Sequence, residues 1–200
     1  MVLKEKRSVV KQSLESSLGM GLEESPDFER MYVIKIRGSG EEILRELAQF
    51  GEPDAKFLSL RFLKVRRVKG EPNQVGSVVE YRAPIPGLET RLHLSRRVGS
   101  ETLLYELEEQ LAEKGRLILN IAPTRDGNLK LTIYAAFDYK KGSGLAGRML
   151  WGAARLFFPA FLHDVVWNHA LCTIKEEVEW KHNHGPAGDS RVPPSEDSAG

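Results

Sequence analysis

Two tyrosines, Tyr81 and Tyr105, are the first candidates for side chains that take part in binding or catalysis. Each lies at an alternate position of a run that is typical of a β-strand, with apolar residues two positions away on both sides. If the hydroxyls are buried, each needs a hydrogen-bond partner, and a ligand carbonyl or hydroxyl could supply it. A hydroxyl that reaches solvent at the edge of a sheet is the more common arrangement, and it stays open for both residues.

A second group consists of His163, Asp164 and His169, since a histidine can act as a base and an aspartate can orient it. The two histidines are six positions apart, which places them on different sides of a straight helix. No HExxH-like pair or nearby glutamate supplies a third metal ligand. We therefore expect solvent-facing or capping roles for the histidines, and no metal site.

Two polar residues, Asp164 and Asn168, share a stripe of the same predicted helix with Phe157 and Phe161. A buried hydrogen bond to the sheet is expected for these polar groups, rather than proton transfer. The GxSxG motif is missing, and the Gly38-Ser39-Gly40 stretch lacks the spacing of a phosphate-binding loop. The sequence thus identifies no catalytic residue and predicts no cofactor.

The basic residues concentrate in one stretch and on the strands predicted beside it. A solvated face that protects a sheet edge is the simpler interpretation, and an anionic headgroup or an acidic partner is the alternative. Apart from Phe62, the stretch has no interleaved aromatic residues for base stacking, so nucleic acid is not expected as a partner. The residues are Arg61, Lys64, Arg66, Arg67 and Lys69, with Arg82, Arg91, Arg96 and Arg97.

The composition fits one ordinary globular domain. Of the 200 residues, 41% are hydrophobic and 28% are charged, and 29 basic against 28 acidic residues give a net charge of +1. There is no bulk charge to attract nucleic acid or an anionic membrane. Cys172 is the only cysteine, and no segment has the ~18 uninterrupted apolar residues of a membrane span or the pattern of a signal peptide. A cytoplasmic protein is predicted.

Three segments follow from the pattern along the chain. Residues 1–27 are predicted to be a peripheral arm without a packing partner, and residues 181–200, rich in Pro, Gly and Ser, a disordered tail. Between them, residues 28–180 form the domain. It opens with a strand at 32–37 and a short amphipathic helix at 41–50. A meander of six strands follows, predicted at 62–68, 75–85, 88–98, 101–107, 116–122 and 129–139.

The last predicted element is a helix over 144–180, about 54 Å long if it is continuous. Pro159 is expected to kink or break it. The half before Pro159 is apolar on all sides, and the half after it is predicted to face the sheet with Phe161, Val165, Asn168 and Cys172. The predicted fold class is therefore α+β, with a curved antiparallel sheet of about seven strands around a long C-terminal helix.

This order of elements resembles the START-like, or helix-grip, superfamily (SRPBCC), which includes polyketide cyclases and lipid carriers. The resemblance rests on the strand at 32–37 followed by 41–47, on the hairpin 78–94 turning at Pro86-Gly87, and on the strand 131–139 leading into the helix at 144–179. It implies a cavity between the concave face of the sheet and the helix. Inward-facing residues and the helix would line it: Val79, Tyr81, Leu92, Leu94, Tyr105, Leu119, Ile133, Phe137, Met149, Phe157, Phe161, Val165 and Asn168.

Three functions are consistent with this sequence. The first is non-catalytic binding or transport of a hydrophobic small molecule, such as a lipid, quinone, sterol or polyketide-like compound. The second is a cyclase or dehydratase that uses the same cavity, with Tyr81 or Tyr105 polarising a carbonyl. The third is a module for transient contact with a protein or a membrane through the basic face. The sequence assigns no oligomeric state.

Overall fold

The computed structural model describes residues 7–22, 25–58, 63–82, 89–108, 112–139 and 160–184. Three α-helices, seven strands and one turn of 3-10 helix lie in these ranges. In chain order they are α1 (Arg7–Leu18), β1 (Phe28–Ile36), α2 (Gly40–Ala48), the 3-10 turn (Lys56–Leu58), β2 (Lys64–Lys69), β3 (Val78–Arg82), β4 (Glu89–Val98), β5 (Thr102–Leu107), β6 (Ala112–Pro123), β7 (Leu129–Tyr139) and α3 (Ala160–Asn183).

The seven strands form one antiparallel sheet with the order β1-β7-β6-β5-β4-β3-β2. Strands β2 to β7 pair with their neighbours in sequence, as the predicted series of hairpins requires, and β1 pairs over its whole length with β7. The predicted strand class of residues 101–107 is confirmed over Thr102–Leu107. Strand β6 begins at Ala112, four residues before its predicted start at 116, so the connection from β5 is shorter than expected.

The concave face of the sheet carries the main hydrophobic core. Alternate residues of each strand belong to one cluster, or pack against it in the case of Val65 on β2, together with residues of α2, the 3-10 turn and α3. Burial follows the alternation in β4, whereas β5 also buries Thr102 and Leu104, which face the other way. The strand members of this cluster include Tyr32, Val79, Leu92, Leu94, Leu103, Tyr105, Leu117, Leu119, Ile121, Leu131 and Ile133. Period-two burial fixes the register, because a slip by one residue would turn this whole set outward.

Helix α2 begins with a side-chain capping box and is followed by a glycine that the packing requires. At its start, the Ser39 hydroxyl accepts from the backbone N–H of Glu42, and the Glu42 carboxylate accepts from the backbone N–H of Ser39. At its end, Gly51 has a positive φ of 88°, and the backbone N–H of Arg67 donates to its carbonyl over 2.6 Å. A side chain at Gly51 would meet the Arg67 backbone at 2.7 Å, so glycine is required where β2 passes α2.

Helix α3 faces the core with a different stripe from the predicted one. The buried residues are Val166, Trp167, Ala170, Leu171, Ile174 and Val178, at helical spacing. Val165, Asn168 and Cys172 are exposed, so their predicted inward position is wrong. The face is rotated by about one residue, or ~100°, because β1, α2 and the 3-10 turn contact the helix along the buried stripe. The predicted bend at Pro159 lies outside the described residues.

The helix also runs past its predicted end. Lys181 and His182, which were expected in a disordered tail, belong to α3, and the Lys181 ammonium lies 2.5 Å from the buried Glu46 carboxylate of α2. Residues 185–200 of the predicted tail lie outside the described residues. Over the ranges that the structure describes, no helix combines the length and the hydrophobicity needed to cross a bilayer.

The N-terminal segment packs on the convex face, so the expectation of an arm without a packing partner is wrong. Helix α1 and the residues after it bury Val10, Leu14, Leu18 and Leu22. These side chains cover an outward-facing apolar patch of β5, β6 and β7, formed by Leu104, Ile118, Tyr134 and Ala136. The Arg96 guanidinium donates to the Leu18 carbonyl over 2.7 Å and so caps the end of the helix.

Leu14→Ala tests whether this second cluster stabilises the fold. Leu14 is 1% exposed at the centre of the cluster. Truncating it should lower the free energy of unfolding by about 2 kcal/mol, at the low end for a buried leucine because one side of the cluster is a single helix. Urea unfolding of the full chain measures this, with the exposed Val9→Ala of the same helix as the control. An equal effect of both substitutions would show that α1 does not pack in solution.

Candidate functional site

The candidate site is the part of the concave wall where β3 and β4 meet. Tyr81 of β3 and Thr90 of β4 are cross-strand partners. Both side chains point to the concave face, since Tyr81 packs against the main core and Thr90 alternates with the buried Leu92. Both hydroxyl oxygens are buried, and neither has a hydrogen-bond partner among the described residues. Two orphaned hydroxyls therefore occupy neighbouring positions on an apolar wall.

Aromatic rings surround the tyrosine of this pair. The ring of Phe50, at the end of α2, lies edge-on to the rings of Tyr81 and Tyr105, with centroids 5.8 Å and 5.4 Å away. The ring of Phe57, in the 3-10 turn, stacks with the ring of Phe50, with centroids 6.3 Å apart. Tyr105 is 1% exposed, and the hydroxyl oxygen of the half-buried Tyr81 is shielded from water, so the alternative that these hydroxyls reach solvent at a sheet edge is wrong.

Burial also fixes the protonation state of the two tyrosines. Desolvation raises the pKa of Tyr81 well above its ordinary value, and the nearby Tyr105 adds to the effect. Desolvation likewise raises the pKa of Tyr105, against a smaller lowering by the Arg67 guanidinium. Both phenols thus stay protonated at neutral pH and can donate a hydrogen bond. The arrangement can bind a carbonyl or hydroxyl group of an apolar molecule, which would satisfy the orphaned oxygens.

A second polar cluster joins β1 to the start of α3. The Tyr32 hydroxyl donates to the Asp164 carboxylate over 2.7 Å, and the Arg30 guanidinium lies 3.6 Å from the same oxygen. The predicted hydrogen bond between Asp164 and the sheet is present, but it is only partly buried, since the Asp164 side chain is 45% exposed. Asn168 is exposed and makes none with the described residues. Burial, with the Asp164 hydrogen bond, raises the pKa of Tyr32. This cluster holds the helix against the first strand.

His163 packs beside this cluster instead of facing solvent. Its ring lies 4.6 Å from the ring of Phe28 and 5.8 Å from the ring of Phe137. Desolvation lowers the pKa of His163 to about 4, so the imidazole is neutral at pH 7. The predicted solvent-facing role is therefore wrong for His163 and right for His169, which is exposed. The two histidines do not form one site.

The structure brings the strand members of the predicted site together. Val79, Tyr81, Leu92, Leu94, Tyr105, Leu119, Ile133 and Phe137 all belong to the concave core or pack against it. Val165 and Asn168 do not, because they face outward on α3. Met149 and Phe157 lie outside the described residues, as does the side chain of Phe161. Thr90 was missed, although its alternation with Leu92 and Leu94 was the signal that could have found it.

The predicted basic face is smaller and less charged than the sequence suggested. Glu80 is buried on the convex side, and the guanidinium groups of Arg66, Arg82 and Arg91 lie 2.8 to 3.4 Å from its carboxylate. Hydrogen bonds from Arg66 and Arg91 lower the pKa of Glu80. Arg67 points to the opposite, concave side, and Arg61 lies outside the described residues. Three of the expected cations thus share one buried carboxylate.

Solved structures with the same architecture identify the fold class. A protein from Chromobacterium violaceum aligns with a TM-score of 0.52 and 16% identity, over 76% of this chain and 96% of its own. The KanY protein aligns with a TM-score of 0.54 and 13% identity, over 76% and 97%. A protein from Nitrosospira multiformis gives 0.51 and 10%, over 76% and 96%.

These identities are low, and the likeness is one of fold alone. No protein-family model matches the sequence, and no curated protein matches it. The chain has a helix-grip fold, in which the antiparallel sheet curves around the C-terminal helix. The sequence-based prediction of the fold class is confirmed.

Proposed function

We propose that this protein binds an apolar small molecule between the concave face of its sheet and α3, and carries it without chemical change. The observation behind the proposal is that Tyr81 and Thr90 have buried hydroxyls on an apolar wall, with no hydrogen-bond partner in the part of the chain that the structure describes. A buried hydroxyl without a partner costs about 1 to 3 kcal/mol. A ligand carbonyl or hydroxyl that forms hydrogen bonds with both groups would remove this cost, so ligand binding would stabilise the folded protein.

The apolar wall would supply most of the affinity. Burial of apolar ligand surface contributes roughly 25 cal/mol per Å², so about 300 Å² would contribute about 7 kcal/mol before the costs of association. The two hydroxyls would add orientation more than affinity, at about 1 kcal/mol for each hydrogen bond. The ligand class is a lipid, quinone, sterol or polyketide-like molecule, and the proposal places the protein in the cytoplasm.

Native mass spectrometry of the gently purified full chain tests the proposal. A bound small molecule should add a discrete mass to the protein, and solvent extraction followed by mass spectrometry would identify it. The carrier proposal is refuted if the protein is consistently free of ligand and takes up none from a hydrophobic extract of its expression host. The same measurement on variants shows where the molecule sits.

Tyr81→Phe should change ligand retention and stability in opposite directions. It removes an unpartnered buried hydroxyl, so the ligand-free protein should unfold with an equal or up to ~1 kcal/mol higher free energy. The ligand should be retained about 5-fold to 10-fold less well, because one anchoring hydrogen bond is lost. Thr90→Val removes the other hydroxyl and should act in the same direction.

The matched control for this substitution is Tyr134→Phe, on the convex face. The Tyr134 hydroxyl donates to Glu29 over 2.8 Å, so its loss should destabilise the protein by about 1 kcal/mol and leave ligand retention unchanged. If Tyr81→Phe instead destabilised the protein and left retention intact, the Tyr81 hydroxyl would be a structural group and not an anchor.

A cyclase or dehydratase acting on a polyketide-like substrate is the second candidate. The observation in its favour is the same convergence of two hydroxyls, since protonated Tyr81 and Thr90 could together polarise a carbonyl. The product of a poly-β-keto thioester incubated with the protein separates the two. Cyclised or dehydrated product that disappears in Tyr81→Phe would make the protein an enzyme, and recovery of unchanged substrate supports a carrier.

Transient contact with a membrane or protein through the basic face is the third candidate. Its support is weaker, because Arg66, Arg82 and Arg91 are held at Glu80. Co-sedimentation with anionic phosphatidylserine vesicles, compared between the parent and Arg66→Glu, would detect such contact.

A further inference from the structure

We propose that the site selects ligands whose polar end is an uncharged oxygen group, such as a ketone, an ester or an alcohol, over ligands that end in a carboxylate. The inference rests on the proposed binding function and names the head group that the same site accepts. The physical reason is the placement of charge around Tyr81 and Thr90, with neutral hydroxyls on the concave face and ion pairs on the convex face.

The two hydroxyls lie near one end of the β3–β4 pair. Tyr81 and Thr90 are cross-strand partners, and one further pair, Arg82 with Glu89, ends the ladder. Both hydroxyl oxygens are buried and lack a hydrogen-bond partner within the described ranges. A carbonyl oxygen has two lone pairs, so it can accept one hydrogen bond from each hydroxyl. The pair is thus suited to a single uncharged oxygen.

The charged residues that flank these hydroxyls along the two strands face the other side of the sheet. Successive side chains of a strand point to opposite faces, so these charges lie on the convex side. There they pair with one another, since Arg82 lies 2.8 Å from Glu89 and Arg91 lies 3.2 Å from Glu80. The whole convex network has three cations and three carboxylates, so its charges balance. Its members are Arg66, Arg82, Arg91, Glu80, Glu89 and Glu108.

Arg67, the cation that β2 turns to the concave side, is bound to the end of α2. One terminal nitrogen donates to the carbonyls of Ala48 and Phe50, each over 2.8 Å. The other lies 2.5 Å from the Glu52 carboxylate. The positive charge of Arg67 is therefore compensated at α2 and not at the hydroxyl pair.

The Tyr81 phenol experiences the same lack of compensating charge. Desolvation raises its pKa well above the ordinary value, and the nearby Tyr105 raises it further. A phenolate and a ligand carboxylate at this position are both anions that lose hydration, so the site disfavours both for the same reason. An uncharged oxygen loses less hydration and regains it in two hydrogen bonds. A neutral head group is therefore preferred.

Dodecanoate and methyl dodecanoate test this preference, because they share the chain and the carbonyl and differ in charge at about pH 8, where a carboxyl group is ionised. Each compound is titrated into the full chain loaded with the uncharged fluorescent probe N-phenyl-1-naphthylamine, and displacement of the probe gives the two affinities. The ester should bind about 10-fold more tightly or better, since the carboxylate loses hydration without gaining an ion pair from the described residues.

Thr90→Lys places a cation beside Tyr81 and should reverse the order, to about 5-fold tighter binding of dodecanoate. His93→Lys is the matched control, because it adds the same charge to the same strand. Its alternation with Leu92 and Leu94 turns it to the convex face, so the ratio of the two affinities should not change. Urea unfolding shows whether each variant folds. If Thr90→Lys does not fold, Thr90→Val carries the test, since loss of one donor should lower the advantage of the ester about 5-fold.

The outcomes separate this inference from the proposed function. If the protein binds neither the probe nor either compound, and retains no ligand, the binding function and this inference both fail. Equal affinities, or tighter binding of dodecanoate to the parent protein, overturn the selection of a neutral head group while carriage stands. An advantage of the ester that is unchanged in Thr90→Lys reflects only its lower solubility in water, and it also overturns the inference. A preference that reverses in Thr90→Lys and persists in His93→Lys supports it.

Discussion

Leu171→Ala is expected to lower the free energy of unfolding by about 3 kcal/mol, since a fully buried leucine loses both its transfer free energy and its packing contacts. Leu171 is 1% exposed at the centre of the inward stripe of α3, between Ala170 and Ile174. The helix contacts β1, α2 and the 3-10 turn along this stripe. Urea unfolding followed by circular dichroism measures the change.

The control for this prediction lies on the same helix. Val165 was predicted to face inward and is 45% exposed in the structure, so Val165→Ala should change the stability by less than about 0.5 kcal/mol. A large loss for Val165→Ala with a small one for Leu171→Ala would mean that the helix presents its other face to the sheet. The pair of variants thus measures the orientation of α3 independently of any ligand.

The strands could be predicted because the two-residue alternation of apolar and polar side chains remains visible even where single residues depart from it. In β4, Leu92 and Leu94 alternate with polar neighbours, and burial follows that alternation. The face of α3 could not be predicted in the same way, because apolar residues occur on several of its sides. Val165 and Val166 are adjacent, and only the contact with β1 and α2 decides that Val166 is the buried one.

The N-terminal helix was missed although the sequence carried a signal for it. Val10, Leu14 and Leu18 recur every four residues, which is the spacing of one helical face. The matching signal lies in the sheet, where Leu103 and Leu104 are both buried, as are neighbouring pairs in β6 and β7. Strands that are apolar on both faces need cover on both faces. Composition alone made residues 1–27 look like a free arm.

The candidate site was predicted in part. Tyr81 and Tyr105 were correctly chosen as polar groups on the inner wall, since they occupy the inward positions of their strands. Arg67 was placed with the exposed cations because of its basic neighbours, yet it shares the inward alternation of Val65 on β2. A guanidinium turned toward the core needs acceptors there, and the carbonyls at the end of α2 provide them. No local pattern encodes that long-range contact.

Because of His163, the free energy of unfolding is expected to depend on pH at values higher than those at which carboxylates titrate. Its folded-state pKa is about 4, below the ordinary value near 6.5, because burial against Phe28 and Phe137 disfavours the imidazolium. The unfolded chain therefore binds the proton first as the pH falls. The stability is fully present above about pH 6.5, decreases between 6.5 and 4, and levels off below, as far as this group is concerned.

This shift corresponds to a loss of about 2 kcal/mol between pH 7 and 5 and about 3 kcal/mol by pH 4. His163→Phe keeps a ring against Phe28 and cannot titrate, so its stability should fall less over the same range. His169→Gln, at an exposed position of α3, should show the same pH profile as the parent protein.

Two charged groups face His163, and they oppose each other. The Asp164 carboxylate raises the His163 pKa, and the Arg30 guanidinium lowers it. Parallel pH profiles for the parent and His163→Phe would show that His163 is not desolvated, and that the contact between β1 and the start of α3 opens in solution.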